Sequence, residues 1–239
     1  SEGDMDFSTI NSNIANWIKN WPKARTDDMS LISRSAISEG WYLNEVLLVG
    51  IYSQIEDHDD FSSMIESLLL ENWDGFWEAI FKSEPSRFSL FSEAKQCFES
   101  SLYGASIHLF FSQADGVFHD HFGKSLYKKE GERAKTEADV HLKNVIARES
   151  LAQLINQFKD ASLLRRMFNE VYKEMFSVIG ADPMKNIDPA HPESTLKTPN
   201  RHGVLHGIHK EYASETNALK VFSMFLFVLY AIHGERMME

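Results

Sequence analysis

The apolar run ALKVFSMFLFVLYAI, residues 218–232, decides the fold class of this chain. Lys220 and Ser223 are its only polar members, so a helix formed here is apolar around nearly its whole circumference. Ser214, shortly upstream, is a favourable N-cap residue. At about 1.5 Å per residue the run is too short to span a bilayer. We therefore predict the central helix of a bundle, and no membrane partner.

The segment PNRHGVLHGIH, residues 199–209, precedes this helix and concentrates basic side chains against the predicted core. Thr198 can cap a helix here and Pro199 can start it, because proline at the first helical position loses no hydrogen bond. Gly207 is a natural stop after two turns. The sequence predicts a short helix that presents polar groups beside the bundle.

At about 100° per residue, His202, His206 and His209 fall on one face of that helix, with Arg201 beside them. Imidazole titrates near neutral pH. An arginine in the first turn opposes the helix dipole, which favours a bound anion such as phosphate. The other interpretation is a set of half-exposed histidines that hydrogen-bond to neighbouring loops.

Arg201, His202 and His206 resemble the motif of the HEPN superfamily of small α-helical proteins. That motif is an Arg, a polar residue that is usually Asn, Asp or His, and a His after four to six intervening residues. The resemblance covers about residues 88–235. It implies a metal-independent endoribonuclease of a bacterial toxin or antiviral-defence type, without a cofactor, which acts on RNA as a homodimer and has an antitoxin or regulatory protein as a further partner.

The motif implies separate roles for its three residues in cleaving RNA at a phosphate. His206 suits the base that takes the 2′-hydroxyl proton, or the acid that protonates the leaving 5′-oxygen. Arg201 suits the group that stabilises charge on the phosphate oxygens, and His202 would position the phosphate or orient Arg201. We assign these three residues catalytic roles, and Asn200 and His209 supporting roles. Because one short helix aims its side chains in one direction, a second copy would complete the site.

Asp115 and His119 form a second group, one helical turn apart. Such a pair can be a carboxylate that orients an imidazole, and if its helix packs on residues 199–209 it could support the Arg201 cluster. A hydrogen bond at the surface or the edge of the core is the alternative.

Two other classes of function remain open. The spacing His-x3-His-x2-His of residues 202–209 could hold a zinc or iron ion, although Gly207 should break the helix before His209. A non-catalytic helical module that binds or regulates a partner protein would also carry such a segment.

The formal net charge of −11 argues against broad binding to nucleic acid, which depends on many phosphate contacts from Lys and Arg. RNA would have to meet a local patch, and residues 124–135 carry several Lys and Arg side chains that could also form a solvated loop. The first residues lack a basic and then apolar run, and Cys97 is the single cysteine. These features predict a cytoplasmic protein.

Helical periodicity recurs along the rest of the chain and predicts an all-α, up-and-down helical bundle. The predicted helices cover residues 8–21, 37–55, 61–70, 73–81, 88–122, 137–158 and 162–178, with an irregular loop at 182–198. The run 37–55 fits one helix or a helix pair, and Gly104 could kink the run 88–122 or divide it into two helices. Pro85 marks the clearest boundary. We therefore predict an N-terminal helical region at 1–85 and a HEPN-like helical bundle at 86–239.

Overall fold

The computed structural model describes residues 25–54, 60–123, 125–127, 175, 179 and 198–237. Eight α-helices lie in this part of the chain: α1 (Arg25–Ser38), α2 (Glu45–Gln54), α3 (Phe61–Glu71), α4 (Trp73–Ser83), α5 (Phe88–Glu99), α6 (Tyr103–Phe122), α7 (Arg201–Leu205) and α8 (Glu215–His233). Two short 3-10 helices, Pro85–Arg87 and Gly234–Met237, follow α4 and α8. These residues contain no strand, so the prediction of an all-α fold is confirmed for the described part.

Predicted and observed helix boundaries agree best where a residue at the helix start caps it with its own side chain. The Asp60 side chain accepts a hydrogen bond from the Ser62 amide at the start of α3, and Ser214 accepts one from the Asn217 amide at the start of α8. The helical run predicted over 88–122, with a kink or a division at Gly104, is divided into two helices. They separate at Ser101, whose φ of 60° is left-handed, and the division does not fall at Gly104.

Helices α4, α5 and α6 run antiparallel, each to the one before it. Phe81 of α4 contacts Phe88 at the start of α5, with ring centroids 4.9 Å apart, and Phe98 near the end of α5 contacts Tyr103 at the start of α6. Short connections impose this arrangement. That the whole chain forms an up-and-down HEPN-like bundle stays a prediction.

Helix α8 lies at the centre and packs most extensively on α6. The two helices run parallel, since Gly104 lies beside Ala213 at one end and His121 faces His233 at the other. Between these ends Phe110 stacks on Phe225, with ring centroids 5.7 Å apart. Parallel packing brings both helix C-termini to the same end of the molecule.

The two polar residues of the apolar run have specific partners inside the core. The Ser223 hydroxyl donates to the Lys220 carbonyl and accepts a hydrogen bond from the Tyr42 amide, 3.1 Å away. The Lys220 ammonium lies 5.5 Å from the centroid of the Trp41 ring, which is a cation–π distance. Both residues are buried, and these contacts compensate for their lost hydration.

Among the described helices, α8 is the one long and apolar enough to cross a membrane. Its 19 residues exceed the apolar run, so length alone does not exclude a membrane span. Of the apolar window, 78% is buried within the molecule itself. Burial, rather than length, therefore assigns α8 to the core, as is usual for the central helix of a soluble protein.

One hydrophobic cluster extends from Ile32 to Met237 and includes side chains from both sides of residue 85. The division into regions 1–85 and 86–239 stays a prediction. The predicted helices at 8–21, 137–158 and most of 162–178, the loop at 182–197 and the charged side chains of 124–135 lie outside the described residues.

Candidate functional site

Helix α7 carries Arg201 and His202, has His206 as its C-cap, and begins two residues later than Thr198 and Pro199 suggested. Asn200 is the N-cap, and its side-chain oxygen accepts a hydrogen bond from the Gly203 amide at 3.0 Å. Asn200 is buried, with 3% of its surface exposed. Proline has no side-chain acceptor, whereas asparagine is among the best N-cap residues, so Asn200 determines where Arg201 enters the helix.

The predicted stop at Gly207 is confirmed. Its φ of 70° is left-handed, and the chain turns back so that the amides of Ile208 and His209 both donate to the Gly203 carbonyl. The His209 ring then lies on Gly203, where an added Cβ would come within 3.1 Å of it. The Nε2 atom of His209 is buried without a hydrogen-bond partner among the described residues.

His202 and His206 remain together on the outer face of this segment. Both side chains are exposed, and their ring centroids are 4.0 Å apart. His209 does not join them, because the turn at Gly207 carries it to the other side of Gly203. Within the described residues the three imidazoles do not converge as metal ligands, so the zinc or iron site suggested for the spacing gains no support from this geometry and stays a prediction.

Arg201 is half-buried and lies over an aromatic ring that the sequence did not indicate. Its guanidinium carbon is 4.4 Å from the centroid of Tyr127, whose hydroxyl donates to the Phe111 carbonyl at 2.9 Å. Burial raises the pKa of Tyr127 well above its ordinary value, Asp115 raises it further, and Arg201 opposes this. The phenol therefore stays protonated at physiological pH, as a hydrogen-bond donor requires.

Asp115 hydrogen-bonds to the turn that precedes Tyr127 and not to His119. One of its carboxylate oxygens accepts hydrogen bonds from the Ser125 hydroxyl and the Leu126 amide, both at 2.7 Å. No hydrogen bond joins Asp115 to the exposed His119 in the described structure, so the predicted pair does not form. Asp115 is therefore linked to Arg201 only indirectly, because it bonds to the turn before Tyr127 and Tyr127 lies against Arg201. The supporting roles of Asp115 and His119 stay predictions.

Another polar cluster lies at the C-terminal end of α6 and was not selected from the sequence. One oxygen of Glu84, Oε1, lies 2.8 Å from Nε2 of His121 and 2.8 Å from Nε2 of His233. Each histidine stands in the last turn of a helix that ends at a glycine, Gly123 or Gly234. That local pattern was visible in the sequence, but nothing in it joined residues so far apart in the chain.

Comparison of this chain with protein-family models, with curated proteins and with solved structures gave no match.

Proposed function

We propose that this chain is a cytoplasmic, metal-independent endoribonuclease of the HEPN type, active in toxin or antiviral defence. The observation that carries the proposal is the exposed pair of imidazoles, His202 in the helix that begins with Arg201 and His206 at its C-cap, with ring centroids 4.0 Å apart. Groups that can transfer protons and a permanent cation are thereby offered to a ligand from one short segment.

In the proposed reaction, one imidazole takes the proton from a ribose 2′-hydroxyl, and the 2′-oxygen attacks the adjacent phosphorus. The bond from phosphorus to the 5′-oxygen breaks, and an acid protonates that oxygen as it leaves. The products are a 2′,3′-cyclic phosphate and a 5′-hydroxyl. His206 acts as base or acid, and His202 positions the phosphate.

Arg201 stabilises the charge on the phosphate oxygens. The contact with Tyr127 places the guanidinium carbon 4.4 Å from the centroid of the ring and is not a hydrogen bond. The N–H donors lie in the plane of the group and point outward from its edge, where a phosphate can accept two of them. The contact therefore restricts Arg201 without consuming the donors that the reaction requires.

The base and the acid must approach the phosphorus from opposite sides, so a homodimer supplies the second side. Leu205 and Ile208, 43% and 49% exposed, stand beside the imidazoles and favour coverage by another copy. A cleft between two cationic segments would attract RNA despite the net charge of −11. An antitoxin or regulatory protein would cover this cleft in the resting cell.

The test is cleavage of RNA by the purified chain in EDTA, with the ends of the products mapped. Arg201→Ala should lower the rate on the order of 100- to 1,000-fold, because it removes preorganised charge stabilisation. His206→Ala should lower it on the order of 100- to 10,000-fold through lost proton transfer. Growth arrest on expression should disappear in both variants.

Lys82→Ala is the control, because it removes an exposed positive charge from α4, outside the segment that carries Arg201 and the imidazoles. It should keep the wild-type rate within about a factor of two, as expected for a surface charge outside the reaction. Equal activity in all variants would reject the site, and activity lost in EDTA with one bound metal per chain would reject the mechanism. An intact dimer that cleaves no RNA would favour a partner-binding module, and a fully active monomer would reject the shared cleft.

A further inference from the structure

We propose that Glu84, His121 and His233 form a binding site for a divalent transition metal ion, with zinc as the best match. Each residue offers one ligand atom, and the three atoms lie within 4.8 Å of one another. It is the one such group among the residues that the structure describes. The proposal is independent of RNA cleavage, because none of these residues belongs to helix α7.

The fold brings three helix C-termini to this point. Glu84 directly follows α4, His121 is in the last turn of α6, and His233 is the last residue of α8. The final carbonyls of a helix carry the negative end of its dipole. A buried carboxylate among three such ends is unfavourable unless a cation joins it, and a metal ion supplies that charge.

Arg87, only three residues from Glu84 in the chain, does not pair with it. Arg87 donates two hydrogen bonds to one Asp120 oxygen, at 2.7 and 3.1 Å, and one to Gln113 at 2.9 Å. Those bonds direct Arg87 along α6. Arg87 therefore does not compete with the two imidazoles for the Glu84 carboxylate.

The distances suit a small ion after a slight expansion. Zinc binds imidazole nitrogen and carboxylate oxygen at about 2.0–2.2 Å, which separates neighbouring tetrahedral ligands by about 3.3 Å. The present separations of 2.8 Å from Glu84 to each imidazole would open by about half an ångström, and the two imidazole nitrogens, which lie within 4.8 Å of each other, would settle at the same spacing of about 3.3 Å. Side-chain rotation accommodates such a change without moving the helices.

The ligand set selects the class of metal. Imidazole favours zinc, copper, iron and nickel, and two imidazoles with one carboxylate form a common zinc set that leaves a coordination position open. The Glu84 and His233 side chains are only 11% and 8% exposed, whereas that of His121 is 38% exposed. The open position therefore faces solvent on the His121 side, where water completes the coordination.

The test is zinc titration of the untagged full chain after dialysis against EDTA, by calorimetry and by metal content. The wild type should bind one zinc ion per chain, and zinc should raise its melting temperature. His121→Gln and Glu84→Gln should each weaken binding by at least about tenfold, since losing a ligand costs no less than losing a residue that orients one. Both variants replace a ligand with a neutral polar side chain, and circular dichroism without metal reports whether each still folds.

His119→Gln is the matched control, because it removes an exposed histidine from the same end of α6. It should bind zinc as the wild type does. A folded wild type that binds no zinc would overturn the proposal. So would binding that survives in both folded ligand variants, or binding that is lost in His206→Gln instead.

Discussion

The exposed pair His202 and His206 and the trio Glu84, His121 and His233, in which His121 is partly exposed, bring imidazoles together in two different ways. His206 is the C-cap of the helix that carries His202, four residues earlier, and the two rings meet through local helical geometry. The trio comes from the ends of three helices, and its atoms meet only because α4, α6 and α8 converge. A site on one short helix forms with that helix, whereas a site between helices depends on the whole core.

Because of this difference, substitutions at the two sites should differ in how strongly they affect folding stability. Substitutions of exposed side chains with no buried partner change stability little. Glu84 and His233 are buried against each other, so changing either should affect folding. The comparison predicts that the α7 pair can be altered at little cost to folding and the trio cannot.

The largest expected effect is on stability in metal-free buffer. Glu84→Ala should lower the free energy of unfolding by about 2–3 kcal/mol, because it removes the buried carboxylate oxygen that His121 and His233 share. His206→Ala should change it by less than about 0.5 kcal/mol, as expected at an exposed site. Urea denaturation followed by circular dichroism measures both. Equal losses in the two variants would contradict the distinction.

A smaller effect is expected on the rate of RNA cleavage, where Tyr127 tests how Arg201 is held. Tyr127→Leu removes the cation–π contact, worth about 1 kcal/mol, and should slow cleavage by about fivefold. Tyr127→Phe keeps the ring beneath Arg201 and loses only the bond to the Phe111 carbonyl. It should cleave at nearly the wild-type rate in buffer at neutral pH. If both variants are slowed equally, the ring does not position Arg201.

The smallest expected effect is on the pH dependence of stability, through Asp120, which precedes His121 of the trio in the chain. Hydrogen bonds from Arg87 lower the pKa of Asp120 in the folded state. Its contribution to stability is therefore present above the carboxyl's ordinary pKa, and is lost as pH falls through the lowered value. Because Asp120 is half exposed, the contribution should be below about 1 kcal/mol.

Asp120→Asn should reduce the loss of stability on acidification. Urea midpoints measured from neutral pH to about pH 3 test this, because pH 3 lies below the ordinary pKa of Asp. Asp74→Asn is the control, because the Asp74 side chain is 95% exposed and its nearest cation, Lys95, is 4.0 Å away. If Asp74→Asn changes the acid dependence as much as Asp120→Asn does, the Arg87 contact is not its source.

Local chemistry was enough to predict much of the helical structure. Ser214 caps α8, Gly207 ends the α7 turn, and the run 218–232 forms the buried centre of α8. Each depends on interactions within a few residues, because caps, left-handed glycines and helical periodicity act over one or two turns. The proximity of His202 and His206 follows from the same short-range geometry.

Tertiary structure decided the contacts that connect distant parts of the chain. Arg201 lies on Tyr127, Asp115 bonds to the turn at 125–126 instead of His119, and Glu84 lies between His121 and His233. None of these follows from spacing, because the side chains belong to segments that meet only when the core packs. Helical periodicity indicates which face of a helix is buried, whereas the opposing residue depends on the direction and offset of the neighbouring helix, and packing alone sets both.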